Sequence, residues 1–550
     1  MKKHLFGLLL LSVSFFLSSA PLPPSVQNEI EKSQQQRLEA IKQQEQQLET
    51  LTPLPVLPES PVREDGSCFE IASIGYQGNT IFDNDELNQL INYKPQCLGL
   101  AGINEMLRKI TNLYIENGYV TSRAYLTPQN LQSGHLNIVI LEGRLEGVRW
   151  NGEFNHLLDF AFPFLNGRIL NLRDIEQGLD QINRLQRYNA QIKLVPSQNQ
   201  GYTIVEITTP EAAFLSSSLG VNNGGSTGTG ETQLSASLSA ENVLGGLESV
   251  SLSGSKSSEF STKFDSESAN LNIDLPLGYW NYTYLMTYSS YVNSFESNGF
   301  DISTDGHTNV YQLGSNWLFF RDSQTKAKLT TSVSHRRERN YLLGTKLDSS
   351  SRNLTHFSVG VEWSSRLGNA FVTAQPKYSK GTEWFNAMGD TGHSSSAPIS
   401  KFDRADLTLS YTYPLSPQLR YSATLYGQWS NDTLYSNQRL SIGGEYSVRG
   451  FKNISLSGDE GYYWRNDLTY QIGQWPVVGQ VSSVLALDTG TIKTDEQDEL
   501  ERGSLLGSSL TIRMAHRYYS SSVSIGVPIQ HPNQLSADDY VVNYQIRFAI

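Results

Sequence analysis

The 550-residue sequence is short of charge, of cysteine and of long hydrophobic runs. Charged residues make up 17% of the chain, against about 25% in an ordinary soluble protein. The 54 acidic residues outnumber the 42 basic ones, and the net charge is −12. Such a chain offers no basic surface for phosphate groups, which argues against a nucleic-acid-binding protein. Beyond the N terminus no run of about 18 apolar residues occurs, which excludes an α-helical membrane protein.

Signatures of catalysis are missing as well. The sequence has no Walker A motif, no HExxH and no GxSxG, and its nine histidines are scattered. Residues 253–256 fit the SxxK pattern, but they lie in a Ser-rich stretch where such a match arises by chance. We therefore predict a protein that is not an enzyme and that uses no cofactor, no metal and no nucleotide.

The N terminus predicts export. Lys2 and Lys3 precede an apolar run, and small residues follow it up to Ala20, which is the layout of a secretory signal peptide over residues 1–20. In an oxidising compartment an isolated pair of cysteines favours one disulfide. The sequence has two cysteines, Cys68 and Cys97, and we predict that they are bonded to each other.

The next segment is a polar helix followed by a linker. Residues 21–52 are rich in Gln, Glu, Lys and Arg, with a thin apolar stripe at rough helical spacing. Such a helix can be solvated, can form a weak coiled coil, or can lie in a watery cavity, and the sequence leaves these alternatives open. Residues 53–66 contain four prolines and are predicted to be a linker.

Two small α+β units follow. Residues 67–143 predict a strand near 71–76, helices near 83–91 and 103–117, and two alternating strands. Residues 144–210 repeat this order, with helices near 155–164 and 173–185. A mixed sheet of this kind leaves an edge strand that can accept an extended polypeptide, so we predict a binding role for both units.

From about residue 211 to 550 the sequence alternates strictly between apolar and neutral polar residues. The apolar face is rich in Tyr and Trp at strand ends, as the interfacial girdles of membrane β-barrels require. A soluble β-sandwich also alternates, but about 340 residues is too long for one ordinary sandwich. Strands of about 9–11 residues allow about sixteen of them, although composition does not separate sixteen from fourteen or eighteen.

Two stretches in the last part of the chain carry a family resemblance: residues 443–451 (GGEYSVRGF) and 458–468 (GDEGYYWRNDL). They resemble the outer-membrane transporters of two-partner secretion, the TpsB family, within the superfamily that also contains barrel-assembly factors. Residues 118–148 and 167–185 are similar to parts of the two POTRA domains of that family. Residues 222–245 are similar to its first barrel hairpin.

The resemblance implies a complete architecture. It is a transmembrane β-barrel (211–550) of about 16 antiparallel strands, preceded by two periplasmic α+β POTRA domains (67–143 and 144–210). An N-terminal plug helix within 21–52 would lie in the barrel pore. Cys68 and Cys97 match the usual cysteine pair of the first POTRA domain.

The resemblance also implies a site. The tip of a long loop that folds back into the barrel would carry a latch motif: Val448, Arg449, Gly450 and Phe451. Arg449 would pair with an acidic residue of a Phe-x-Asp-x-Gly motif on the wall, which here is the stretch from Ala486 to Gly490 without the aromatic residue. Strand alternation places Asp488 in the lumen independently, because Leu485 and Leu487 then face lipid.

The function implied is protein export across the outer membrane of a Gram-negative bacterium. The POTRA domains would recognise an unfolded partner exoprotein in the periplasm, and the barrel would conduct it to the cell surface. The partner would be a large β-helical adhesin, haemolysin or similar protein, with outer-membrane lipid as the other partner and no nucleic acid. The alternative is a barrel-assembly factor of the same superfamily. A passive porin is disfavoured, since it would not carry residues 67–209.

Overall fold

The structure, a computed structural model, describes residues 24–49, 57–58, 68–210, 212–297, 299–392, 397–493 and 501–550. The predicted signal peptide (1–20) and all of the predicted linker except residues 57–58 lie outside the described residues. Helix α1 spans Pro24–Glu49. Its 26 residues correspond to about 39 Å at 1.5 Å per residue, which is enough to span a membrane-sized barrel lengthwise. Among the described residues no helix is both long and apolar enough to cross a bilayer.

The first α+β domain contains two small sheets. Its elements are β1 (Cys68–Ile71), β2 (Ser73–Gln77), α2 (Asn84–Ile91), β3 (Gln96–Gly99), α3 (Leu100–Glu116), β4 (Arg123–Leu126) and β5 (His135–Leu141). Strand β5 is the centre of the main sheet, parallel to β2 and antiparallel to β4. Alternate residues of β5 are buried against α2 and α3, as a half-buried strand requires.

The disulfide prediction is confirmed. Cys68 and Cys97 are bonded, and they join β1 to β3 in a separate antiparallel pair. The strand predicted near residues 71–76 is divided by this arrangement, because β1 pairs with β3 while β2 pairs with β5. Helix α2 begins as predicted, with a capping box in which Asp83 and Glu86 each accept a backbone N–H of the other.

The second α+β domain has one four-stranded sheet in the order β7-β6-β9-β8. Its elements are β6 (Arg144–Trp150), β7 (Glu153–Phe154), α4 (Leu172–Asn183), β8 (Gln191–Pro196) and β9 (Tyr202–Thr208). The helix predicted near residues 155–164 is wrong: a single 3₁₀ turn, His156–Phe160, stands there. Pro163 disfavours a helical residue before it, and Phe164 adopts a left-handed φ of 58°.

The core of this second domain includes side chains from the first domain and from the barrel. Ile115 and Val120 of the first domain pack into it, and so does Leu247, which lies in a turn of the barrel. These side chains join residues of the domain itself such as Ile182 and Val205. The two domains and the barrel are therefore connected by shared hydrophobic packing as well as by the chain.

Within the described residues, sixteen antiparallel strands close the barrel. The first eight strands of the wall are β10 (Leu215–Asn222), β11 (Gln233–Glu241), β12 (Ser249–Ser257), β13 (Phe264–Leu277), β14 (Trp280–Ser297), β15 (Phe300–Arg321), β16 (Thr325–Leu342) and β18 (Asn353–Leu367). The short strand β17 (Thr345–Lys346) extends the hairpin at the end of β16. The strands up to the long loop are β19 (Ala370–Thr382), β20 (Asp403–Pro414) and β21 (Leu419–Trp429). The loop contains β22 (Leu440–Ile442) and β23 (Leu456–Gly458). The wall ends with β24 (Gly461–Trp475), β25 (Gly479–Ile492), β26 (Gly503–Ala515), β27 (Tyr519–Gln530) and β28 (Val541–Ala549).

The barrel closes between β10 and β28, where Leu219 lies opposite Phe548. Because β10 starts at the second α+β domain, the strand ends near this domain define one mouth of the barrel, here called the domain-side mouth. On β25, Leu485 and Leu487 point outward and are exposed, whereas Ala486 and Asp488 are buried toward the lumen. The alternation predicted from the sequence is therefore the alternation of the wall.

Candidate functional site

The long loop between β21 and β24 folds back into the lumen and brings the predicted motif to the barrel wall. A hydrophobic cluster holds its tip: Val448 and Phe451 are buried with Leu456, Tyr463 and Leu505. Strands β22 and β23 form the stem of the loop as a short antiparallel pair. The loop is thus a packed structure and not a flexible surface hairpin.

Three glycines allow the loop to lie this close to the wall. Gly450 has a φ of +96°, and a Cβ on it would stand 2.6 Å from the carbonyl oxygen of Val527. On the wall, a Cβ on Gly507 would stand 1.9 Å from the carbonyl oxygen of Arg449. A Cβ on Gly526 would likewise stand 2.8 Å from the Cα of Gly450. A side chain at any of these positions would push the loop away from β26 and β27.

Arg449 is 1% exposed and binds Asp488, which is 0% exposed. Its Nε donates to Asp488 Oδ2 at 2.6 Å and its Nη2 to Oδ1 at 2.8 Å, a bidentate arrangement. The backbone N–H of Arg449 donates to the same carboxylate at 3.2 Å. The loop tip and β25 are therefore joined by three hydrogen bonds to one carboxylate, two of them from the guanidinium.

A second carboxylate completes this cluster. Asp467 on β24 lies 2.5 Å from Nη2 of Arg449, so the guanidinium is shared by two acidic residues. Arg465, two residues earlier on the same strand, donates to the backbone oxygen of Glu445 at 2.8 Å. Asp467 and Arg465 were not assigned a role from the sequence, although both lie in the GDEGYYWRNDL stretch and alternation gives them one face.

Gly490 stands beside the latch motif. A Cβ there would come within 3.1 Å of the side chains of Val448 and Tyr463. The structure therefore brings together all six residues predicted for the barrel site: Val448, Arg449, Gly450, Phe451, Asp488 and Gly490. The disulfide of Cys68 and Cys97 lies apart from them, in the first α+β domain.

Helix α1 lies inside the barrel and makes polar contacts with the wall and the loop. Gln34 donates to the backbone oxygen of Ser441 in the loop stem at 2.8 Å. Arg37 donates to the hydroxyl of Tyr463 at 2.7 Å, and its guanidinium stacks 3.5 Å from the ring centre of Tyr426. Of the three alternatives for this segment, the structure selects a helix in a polar cavity.

At the domain-side mouth, a residue of the barrel links the end of α1 to the second α+β domain. Lys326, at the start of β16, donates to the backbone oxygen of Gln47 at 3.2 Å and to Asp180 of α4 at 2.6 Å. Arg321 also pairs with Asp180. Burial raises the pKa of the Asp180 carboxyl, but Lys326 and Arg321 outweigh that effect and leave this pKa below its ordinary value. One lysine thus touches both the helix and the domain.

A buried carboxylate organises the first α+β domain. Glu142 accepts hydrogen bonds from the backbone N–H groups of Thr80 and Ile81 at 2.7 and 2.9 Å, and from the hydroxyl of Tyr114 at 2.8 Å. Burial raises the pKa of Glu142, but these hydrogen bonds to its charged form outweigh burial and leave the pKa below its ordinary value. The carboxylate therefore fixes the loop between β2 and α2 on α3.

The sequence matches a protein-family model over much of this architecture. Residues 201–514 match the model described as haemolysin secretion/activation protein ShlB/FhaC/HecB. The chain belongs to this family. Residues 69–143 match the ShlB-type POTRA domain and residues 144–196 match a further POTRA domain, so the two α+β domains are POTRA domains.

Relatives match along nearly the whole length. The outer membrane transporter CdiB of Dickeya dadantii is 37% identical over 96% of this chain and 95% of its own. The hemolysin transporter protein ShlB of Serratia marcescens is 28% identical over 90% of this chain and 87% of its own. The solved structure of CdiB from Escherichia coli superposes with a TM-score of 0.94 at 34% identity, covering 97% of this chain and 100% of that one.

These matches confirm the predicted family, fold and location. The protein is an outer-membrane transporter of the two-partner secretion type, a β-barrel whose POTRA domains lie in the periplasm, as they do in this family. The domain-side mouth therefore faces the periplasm. The alternative of a barrel-assembly factor is less well supported, because the relatives that match over the full length are named as transporters.

Proposed function

We propose that this transporter captures an unfolded exoprotein with its POTRA domains and passes it through the barrel to the cell surface. The observation that carries the proposal is a barrel lumen occupied by a polar helix of the same chain, with the second POTRA domain docked at its periplasmic mouth and the first packed on the second. A pore blocked by its own helix serves regulated passage better than passive diffusion. Two relatives are named hemolysin transporter proteins, which supports a secreted protein as cargo.

Capture would use the sheet edges. In the first POTRA domain β2 and β4 are the outer strands of the main sheet, and in the second β8 is an outer strand. Each can pair with an extended chain through backbone hydrogen bonds, and side-chain pockets can add selectivity. Recognition of this kind suits a cargo that arrives unfolded and later forms a large β-helix outside the cell, as an adhesin or a haemolysin of that class would.

Passage requires α1 to leave the lumen. Many of the contacts that hold it are polar, among them Gln34 with the loop stem, Arg37 with two tyrosines and Gln47 with Lys326. Three apolar side chains of the helix are also buried: Val26, Ile41 and Leu48. Polar groups can exchange such contacts for hydrogen bonds with water at small net cost, whereas transfer of a mainly apolar helix into solvent would be unfavourable. The helix is therefore suited to reversible residence, and we propose that it acts as a plug.

The Arg449–Asp488 pair would act as a latch that holds the loop against the wall. It links the loop to β25, and the same loop carries the partner of Gln34 in its stem. Loop position and plug position are therefore connected through one buried segment. Release of the latch would free both of them.

We propose the following division of the chain. Residues 1–20 are the export signal, 21–52 the plug, 53–66 the linker, 67–143 and 144–210 the POTRA domains, and 211–550 the barrel. The protein has no enzymatic activity of its own in this scheme. Folding of the cargo outside the cell would supply the direction of transport.

The test compares the proteins released and displayed by cells with and without this gene, and asks whether a large exoprotein depends on it. We expect that exoprotein to disappear from the surface and the medium and to accumulate or be degraded inside the cell. A general loss of other outer-membrane barrels would instead support the barrel-assembly alternative. Unchanged export would refute the proposal, and unchanged levels of other barrels would refute the alternative.

A further inference from the structure

An aromatic side chain of the second POTRA domain is exposed beside the membrane-facing wall of the barrel. Phe164 is 86% exposed and has a φ of +58°. A left-handed conformation is a true outlier for a bulky residue, and it persists only where surrounding contacts impose it. Its neighbour Phe162 lies in the domain core, so the chain turns one aromatic residue inward and the next one outward.

The position of this segment relative to the barrel is fixed by direct contacts. Residues 160–165 are here called the aromatic loop. The backbone N–H of Gly278, in the β13–β14 turn, donates to the backbone oxygen of Phe160 at 2.7 Å. Gln177 and Gln181 of α4 donate to the backbone oxygen of the same glycine at 3.1 and 2.7 Å. Pro163 packs on this turn as well, because a Cβ on Gly278 would stand 2.7 Å from it.

The aromatic loop and the barrel together form an apolar groove of about 670 Å³. Its barrel side includes five outward-facing residues at the periplasmic ends of β13, β14 and β15: Leu277, Trp280, Trp317, Phe319 and Phe320. Trp280 and Trp317 stack with ring centres 5.5 Å apart. A bulge in β15 between Leu318 and Phe320 breaks the alternation, so two consecutive phenylalanines face outward.

The charged groups at the edge of this groove already have partners. Arg173 pairs with Glu176 at 2.7 Å, and Arg321 pairs with Asp180 at 2.5 Å. The surface offered to a ligand is therefore mainly hydrocarbon and aromatic ring. It is continuous with the belt of the barrel that contacts lipid, at the level where Trp and aromatic residues mark the membrane interface.

We propose that this groove binds the acyl chains of phospholipids in the periplasmic leaflet, and that Phe164 inserts into that leaflet as an anchor of the second POTRA domain. Exposed aromatic surface next to a bilayer is stabilised by leaving water. The anchor adds a lipid contact to the polar contacts that dock the domain on the β13–β14 turn. It holds the domain at a fixed depth at the membrane surface whether or not cargo is present.

The proposal can be tested by labelling a single introduced cysteine. The two cysteines are bonded to each other, so Phe164→Cys introduces one reactive thiol for a nitroxide spin label. The labelled full-length protein is placed in nanodiscs of phosphatidylethanolamine and phosphatidylglycerol. Collision with oxygen, which concentrates in lipid, is compared with collision with a water-soluble nickel chelate. Phe154→Cys is the matched control, since Phe154 is an exposed phenylalanine of the same domain outside the groove.

We expect the label at position 164 to collide several-fold more with oxygen than with the nickel chelate, and the label at position 154 to show the opposite ratio. Brominated acyl chains, read as quenching of a fluorophore on the same thiol, should report contact at 164 and not at 154. Equal ratios at the two positions would overturn the proposal. A label at 164 that is water-accessible alone and becomes shielded when cargo is added would also overturn it, and would assign the groove to the exported polypeptide.

Discussion

The substitution Arg449→Ala is the most direct test of the loop latch. The guanidinium is 1% exposed, binds Asp488 in a bidentate manner at 2.6 and 2.8 Å, and lies 2.5 Å from Asp467. Removing it leaves two carboxylates in the cluster without this cation. Breaking a buried ion pair in this way costs about 3–5 kcal/mol. Because about 1.4 kcal/mol is a factor of ten, the docked loop should lose a factor of about 10² to a few times 10³ against the released loop.

The structure also predicts an order of severity. Asp488→Ala leaves the arginine with Asp467 as a partner, so its effect should be smaller than that of Arg449→Ala. Arg449→Lys keeps the charge but loses the planar two-point contact, and its effect should lie between wild type and alanine. Both alanine variants should assemble barrels and export less cargo.

Loop release can be measured by trypsin treatment of intact cells, with cleavage after Lys452 as the readout. Arg439→Ala is the matched control: it lies in the same loop, pairs with Asp459 at 3.1 Å and Glu501 at 2.8 Å, and removes one tryptic site as the test variant does. We expect faster cleavage in Arg449→Ala and a smaller increase in the control, because the side chain of Arg439 is 12% exposed whereas that of Arg449 is 1% exposed. Cleavage and export at wild-type levels in Arg449→Ala would refute the latch and assign loop position to the hydrophobic cluster.

Four further predictions concern other parts of the molecule. Deleting residues 24–49 should raise ion conductance in planar bilayers, and unchanged conductance would refute the plug. Lys326→Met should raise conductance more mildly, because α1 loses one contact at its periplasmic end; conductance equal to the full deletion would contradict this. Cys97→Ser should lower the stability of the first POTRA domain by about 3–4 kcal/mol, given the 29-residue separation of the two cysteines, and denaturation with and without reductant measures it. Glu142→Gln should destabilise that domain at neutral pH, as measured by thermal denaturation. The depressed pKa of Glu142 stabilises the fold above the ordinary glutamate pKa, and this stabilisation is lost as pH falls through the pKa of the folded state. A difference between variant and wild type that persists in acid would contradict this reasoning.

Strict alternation made the barrel and the orientation of Asp488 predictable. Side chains of a strand alternate with a period of two, so apolar Leu485 and Leu487 determine where their neighbours point. The cysteine pair was predictable because compartment and count leave one natural pairing. The loop motif, in contrast, required the family resemblance, since no periodicity indicates that a loop returns into the lumen.

Other features depend on tertiary contacts that local patterns do not encode. Asp467 shares the guanidinium because two neighbouring strands present the same face, and Lys326 joins segments of the chain that are far apart in sequence. The helix predicted near residues 155–164 is not formed because its apolar residues do not share one face. Its apolar residues occur at helical spacing, but Leu158 and Phe162 serve the domain core while Phe164 points outward next to the barrel.

The packing of Leu247 limits how POTRA domains can be exchanged between related transporters. This leucine belongs to a turn of the barrel, yet it is fully buried in the core of the second POTRA domain, where Ile115 and Val120 of the first domain also pack. A POTRA pair exchanged between two relatives would meet a turn shaped for another core. A working chimera must carry residues 242–248 together with residues 68–210, so the natural unit of exchange is discontinuous in sequence.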